Sequence, residues 1–218
     1  MSPTRRRLST LAFVVLILAF AAFADAQDRV GITLAAGAIT NVAPSPNEDF
    51  VEPSYLFSVQ RVMKRYFVLE GDVNYWSHVS SFDQGPHTIS GPSGVIGTVQ
   101  GSNETSDTTN WVFGLNFLVR STGPVHVFGG GGVGFIMQDE VYSQQEFGCS
   151  AGLDPRTCVK YQTTYNRGPL PLFRLLGGVE VPVSSRIAIV GTARYEDASW
   201  EGRSQTVNAL AGVRFSLK

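Results

Sequence analysis

Charge is scarce in this chain. Asp, Glu, Lys and Arg together make 16% of its 218 residues, where a soluble domain usually carries about 25%. With 17 basic against 18 acidic residues and no basic stripe, it lacks the electrostatic footprint of a nucleic-acid binder. Past residue 26 it also lacks any run near the roughly 18 uninterrupted apolar residues that a membrane helix needs. Cysteine is down to two residues and histidine to three, which leaves few ligands for a metal and few bases for catalysis. A chain poor in charge and without membrane helices has to accommodate its apolar residues some other way.

What is present begins with residues 1–26, MSPTRRRLSTLAFVVLILAFAAFADA. An arginine cluster, an apolar stretch from Leu11 to Phe23 and the small-residue site Ala24-Asp25-Ala26 have the form of a secretory signal peptide, cleaved on export. The mature chain, residues 27–218, is mildly acidic and of a length that suits one domain.

Glycine is plentiful, at 23 residues, and VHVFGGGGVGFIM (Val125 to Met137) satisfies Gly-x-Gly-x-x-Gly at Gly129, Gly131 and Gly134. A dinucleotide site needs such glycines to turn a strand into a helix whose N-terminus holds the phosphates. The following Phe135-Ile136-Met137-Gln138-Asp139-Glu140 has neither a cap nor apolar spacing of three and four. The acidic residue expected about 20 positions on could only be Asp154, which sits in the proline-bearing GLDPRTC. No cofactor is expected here.

The apolar residues alternate with period two, the mark of strands. In WVFGLNFLV, Trp111, Phe113, Leu115, Phe117 and Val119 share one face; in YFVLEGDVNYW, Phe67, Leu69, Val73 and Tyr75 lie opposite Glu70, Asp72, Asn74 and Trp76. Eight strands are predicted: Arg29 to Ile39, Val51 to Arg61, Tyr66 to Trp76, Thr109 to Val119, Val125 to Met137, Leu170 to Val181, Ile187 to Glu196 and Gln205 to Leu217. Most are longer than the usual five or six residues and match the roughly 9 to 11 of a tilted membrane-spanning strand. Short turns (VMKRY, RSTGP, PVSSR) alternate with long polar loops, chiefly Val79 to Asp107 and Gln138 to Pro169, as in transmembrane barrels.

The two faces differ in kind. Tyr55, Phe57, Phe67, Tyr75, Trp111, Phe113, Phe117, Phe135, Phe173, Tyr195 and Phe215 fall on one, joined on the other only by Tyr66, Trp76 and Phe128. That other face carries Glu52, Gln60, Glu70, Asp72, Asn74, Asn116, Arg174, Glu180, Thr192, Arg194, Asn208 and Arg214. Bulk outside and polarity inside is the reverse of a soluble carrier barrel and suits a lumen surrounded by lipid. The predicted fold is an all-β, eight-stranded antiparallel up-and-down transmembrane barrel. Its glycines, Gly129 to Gly132 and Gly134 among them, then make room for bulky inward neighbours such as Trp76 or Arg174 and allow the sheet to bend.

LEGDVNYW, GGGGVGF and the terminal LAGVRFSLK carry a resemblance to the small outer-membrane β-barrel superfamily, with barrels of the OmpA and OmpX type, over nearly all of the mature chain. The resemblance implies a bacterial outer membrane, a belt of its lipid, and a last strand read by the barrel assembly machinery. Members typically end on an aromatic residue. Here Ala209, Ala211, Val213, Phe215 and Leu217 alternate, but Lys218 closes the chain.

Chemistry is thinly represented. Some barrels of this kind are lipid acyltransferases or deacylases, and His78 and His87 flank VSSFDQGP with Ser80, Ser81 and Asp83. No nucleophile-base spacing among them is diagnostic, and inward-facing His126 reads as an interior group, so no catalytic residue is assigned. Cys149 and Cys158 supply two ligands at most, too few for zinc. In an oxidising exported compartment they are expected to form a disulfide. The loop Val79 to Asp107 is long enough to bind an extracellular ligand, though its glycine and serine also suit a solvated cap.

The lumen is therefore the candidate site. Glu70, Asp72, Glu180 and Glu196 face Arg174, Arg194 and Arg214, and charges withdrawn from water must pair. The expectation is a network that plugs the bore. The alternative is hydrated side chains and a small porin.

Overall fold

The computed structural model describes residues 29–42, 50–63, 66–91, 94–99, 101–147, 161–198 and 205–217. Ten strands are present: β1 (Arg29–Asn41), β2 (Val51–Met63), β3 (Phe67–Gln84), β4 (His87–Gly91), β5 (Gly94–Val99), β6 (Gly101–Arg120), β7 (His126–Phe147), β8 (Tyr161–Pro182), β9 (Ile187–Asp197) and β10 (Gln205–Leu217). Eight of them close into a barrel in the order β1-β10-β9-β8-β7-β6-β3-β2, and β4 and β5 pair as a separate hairpin. Every barrel strand neighbours those next to it along the chain, the hairpin aside, so the topology is up-and-down. The ring is sealed by β1 against β10, from Val30↔Leu217 to Asn41↔Thr206.

The eight predicted strands are the eight of the barrel, but β3, β6, β7 and β8 run 18 to 22 residues, well past the predicted ends. Much of Val79 to Asp107 and Gln138 to Pro169, read above as loop, is thus strand. The reason is physical: from Thr105 to Asn110 and from Gln138 to Gln145 both faces of the chain are mostly polar. Backbone pairing persists there while the hydrophobic alternation that would reveal it is absent.

The chain divides into two compact units. Residues 77–110 and 137–169 form one, held by polar contacts: Ser106 Oγ donates to Glu140 (2.8 Å), Arg167 pairs with Glu140 (3.3 Å), and Asn103 donates to Asp83 (2.8 Å). The other, residues 1–76, 111–136 and 170–218, contains the barrel.

Within the barrel the alternation settles which side chains meet water, lipid or each other. Glu70, Asp72, Asn74, Asn116, Arg174, Glu180, Arg194, Asn208 and Arg214 are buried, while Tyr55, Trp111, Phe117, Phe173 and Phe215 are exposed. Across β1, β2, β3, β6, β7, β8, β9 and β10 of this unit, Arg61 is the only Lys, Arg or Glu among the outward-facing described residues, and Asp197 at the end of β9 is the only Asp. The exterior has two characters. Over β2, β3, β6 and β7 it is aromatic, with Tyr55 against Tyr75 (6.4 Å), Tyr75 against Trp111 (4.8 Å), Phe67 against Phe117 (5.5 Å) and Phe113 against Phe135 (4.9 Å). Over β1, β10 and β9 it includes a patch of small residues, with Ala36 beside Ala211, Ala38 beside Ala209, and Ala211 beside Gly191. Tyr66, read above with the inward aromatics, instead lies in the turn before β3 and is exposed.

Candidate functional site

The lumen is built from inward rows that each contribute one or two charges at a given height. On β3 the row is Val68, Glu70, Asp72, Asn74; on β6, Arg120, Leu118, Asn116; on β8, Glu180, Gly178, Leu176, Arg174; on β9, Val190, Thr192, Arg194, Glu196. Away from the short turns, four zones succeed one another.

Nearest the turns, Arg214 Nη1 donates to Glu180 Oε2, and Arg120 Nη1 stands 3.5 Å from the same oxygen. Arg214 also donates from Nε to Thr33 Oγ1 at 3.0 Å and lies over the Phe128 ring. Next comes an apolar layer of Val68, Leu118, Phe128, Leu176 and Val190. Beyond it Asp72 accepts from Arg174 Nη1 at 2.6 and 2.8 Å, pairs with Arg194 Nη1 at 2.9 Å, and accepts from Asn116 Nδ2. Arg194 Nη2 also pairs with Glu70 (2.8 Å), and Arg174 Nη2 with Glu196 (2.8 Å). Asn116 Nδ2 and Ser58 Oγ donate to Glu70 at 3.2 and 3.3 Å. Above these, Asn208 Nδ2 donates to Ser54 Oγ (2.8 Å), which donates to Asn74 Oδ1 (2.7 Å). A second apolar cluster, Val112, Ile136 and Leu172, lies on the β6–β7–β8 side.

The structure therefore places Glu70, Asp72, Arg174, Arg194 and Glu196 in one ion-paired cluster, with Asp72 at its centre. It places Glu180 and Arg214 in a second cluster nearer the turns. Sequence reasoning missed Arg120 and the bridging role of Asn116. Arg120 shares its parity with Asn116 and Leu118, so the signal was there, hidden by its place at the edge of the RSTGP turn.

The glycines need a correction. The one that clears space for Arg174 is Gly114 on β6, where a Cβ would lie 2.0 Å from Arg174 Nη1. Gly130, Gly132 and Gly134 on β7 serve a different end. A Cβ at Gly130 and Gly134 would stand 2.1 Å from Phe117 O and from Phe113 O, and one at Gly132 would stand 2.3 Å from Asn116 Oδ1 and 2.4 Å from Leu115 O. They admit close approach of the β6 backbone, and Gly132 also clears the Asn116 side chain.

Of the remaining candidates, Ser80, Ser81 and Asp83 lie exposed on β3, with Asp83 accepting from Asn103. His87 opens β4, and His126 opens β7 with Nδ1 3.1 Å from Ser121 O. Cys149 and Cys158 lie outside the described residues. Among the described residues no three His, Cys, Asp or Glu side chains are grouped to hold a metal.

No protein-family model matches the chain, and no curated protein matches its sequence. Solved structures resemble it at low identity. Neisserial surface protein A is 12% identical, with 87% of this chain and 97% of its own covered, at a TM-score of 0.46. Ail, the attachment invasion locus protein of Yersinia pestis, is 8% identical with the same coverage, at 0.47. A major outer membrane protein of Thermus thermophilus is 11% identical over 88% of this chain and all of its own, at 0.43.

Proposed function

We propose that the chain is an integral protein of the bacterial outer membrane, whose barrel is a closed anchor and whose role is structural or surface-binding rather than catalytic. The observation that carries this reading is the inverted polarity of the barrel. Its outward faces expose Leu115, Phe117, Val133, Phe173 and Leu175 and are almost free of charge, while Arg174, Arg194 and Asp72 are buried inside. In water that arrangement would forfeit the burial of its apolar surface; in a bilayer it satisfies both solvents. Residues 77–110 and 137–169 are then the part available to an external partner, as exposed segments on a rigid scaffold commonly are.

Two measurements test the reading. Cell fractionation should recover the protein with the outer membrane, and its gel mobility in detergent should change on boiling; a soluble periplasmic protein without that shift would overturn the proposal. In planar bilayers the wild-type monomer should show no large steady current, because eight strands leave a bore that side chains fill. Porin-like conductance would favour the small-pore reading. Binding of whole cells to candidate matrix or host surfaces, with and without residues 79–107, separates a binding role from an inert anchor.

A further inference from the structure

At the turn end of the barrel the charged inward-facing side chains among the described residues are Arg120, Glu180 and Arg214, and one carboxylate oxygen, Glu180 Oε2, serves both guanidiniums. Arg186 in the β8–β9 turn lies at the same end. The next carboxylate along the β3 row, Glu70, is the cross-strand partner of Gln60 and is held by Arg194, and Asp72 beyond it is held by Arg174. Two guanidiniums carry ten N–H donors between them, of which Glu180 Oε2 and the Thr33 hydroxyl take one close bond each from Arg214.

The less engaged arginine faces open space. Arg214 has a side chain only 4% exposed and bonds closely to Glu180, whereas Arg120 is 17% exposed and approaches Glu180 only to 3.5 Å. Beside it lies a depression of about 240 Å³ whose polar lining includes Gln60, Arg120, His126, Glu180, Ser184 and Ser185. Ser184 Oγ already accepts from the backbone N–H groups of Arg186 (3.2 Å) and Ile187 (3.1 Å), which leaves its hydroxyl hydrogen for another acceptor. A concave, polar mouth with a partly exposed guanidinium and a hydroxyl donor bonds anions by charge-assisted hydrogen bonds.

We infer that this depression is an anion site, taking a small dissolved carboxylate or phosphate through Arg120, with Arg214 and Glu180 fixing the guanidinium from behind. The lining is chiefly inward-facing, so the site opens on the water at the barrel mouth and not on lipid. The test is calorimetric titration of inorganic phosphate, and separately of succinate, into the full-length protein purified in a non-ionic detergent. Saturable uptake of at least one anion is expected, weakened about tenfold or more in Arg120→Gln, the loss of one charge-assisted contact, and far less in Arg186→Gln, whose side chain is outside the lining. Gln60→Glu, which sets a carboxylate in the lining without changing its shape, should abolish uptake while the boiling-dependent gel shift persists. Absence of saturable uptake by the wild type, or equal weakening by Arg120→Gln and Arg186→Gln, would overturn the inference. The readout does not depend on where the protein resides in the cell.

Discussion

Asp72 accepts from Arg174 and Asn116 and pairs with Arg194 while fully buried. Removing it leaves Arg174 and Arg194 charged, buried and short of a partner. Asp72→Ala should therefore cost about 3–5 kcal/mol, the usual penalty for breaking a buried pair from one side, read from urea unfolding of the barrel in lipid vesicles. A loss near zero would mean that the cluster is hydrated enough to dispense with it. Gly114 offers a finer probe of the same guanidinium. Gly114→Ala should cost about 1–3 kcal/mol by overpacking, because the new methyl claims the place of Arg174 Nη1. In an Arg174→Met background most of that cost should vanish. A double-mutant cycle with coupling below about 0.5 kcal/mol would show that Arg174 sits elsewhere. Which face each of these residues occupies was legible from parity alone. Which acid meets which arginine was not, since that depends on the stagger between strands and on reach across the bore.

At the scale of the strand, the outward row of β6 runs Trp111, Phe113, Leu115, Phe117, Val119, and the burden of a charge should vary along it with depth. Leu115→Arg, in the middle of the row, is expected to cost about 2–4 kcal/mol in vesicles, and Val119→Arg, beside the turn, about 0–1. Equal and small costs at both positions would mean that lipid does not cover this face. The strand-scale reading of the sequence succeeded where one face was apolar and the other polar. It fell short on the distal parts of β3, β6, β7 and β8, where Thr, Ser, Asp and Gln occupy both faces and no contrast marks the pleat. It also misjudged the β7 glycines. Glycine reports that a Cβ is unwelcome without saying whether a side chain or a neighbouring backbone excludes it, and at Gly130 and Gly134 it is backbone.

For the whole molecule, stability resides in the ring and its contents, so a staple outside the described residues should be dispensable. We expect Cys149 and Cys158 to be joined when unreduced digests of envelope-purified protein are analysed by mass spectrometry; free thiols at both positions would refute the pairing. Replacing both with serine should leave the boiling-dependent gel shift intact. The pairing of β1 with β10 has a consequence of another sort, in the order of events. Val30 faces Leu217 across the seam, and the lumen bonds join Asp72 to Arg174, Glu70 to Arg194, Ser54 to Asn208 and Thr33 to Arg214, partners 102 to 181 positions apart. Loop-closure entropy of that span is met before the contacts repay it, which slows folding. Neither the seam nor the Arg214 contacts exist until the last strand has arrived. Throughout that wait β1 presents an unpaired edge, a template for whatever strand comes near, so the barrel is most vulnerable in the interval before its ring closes.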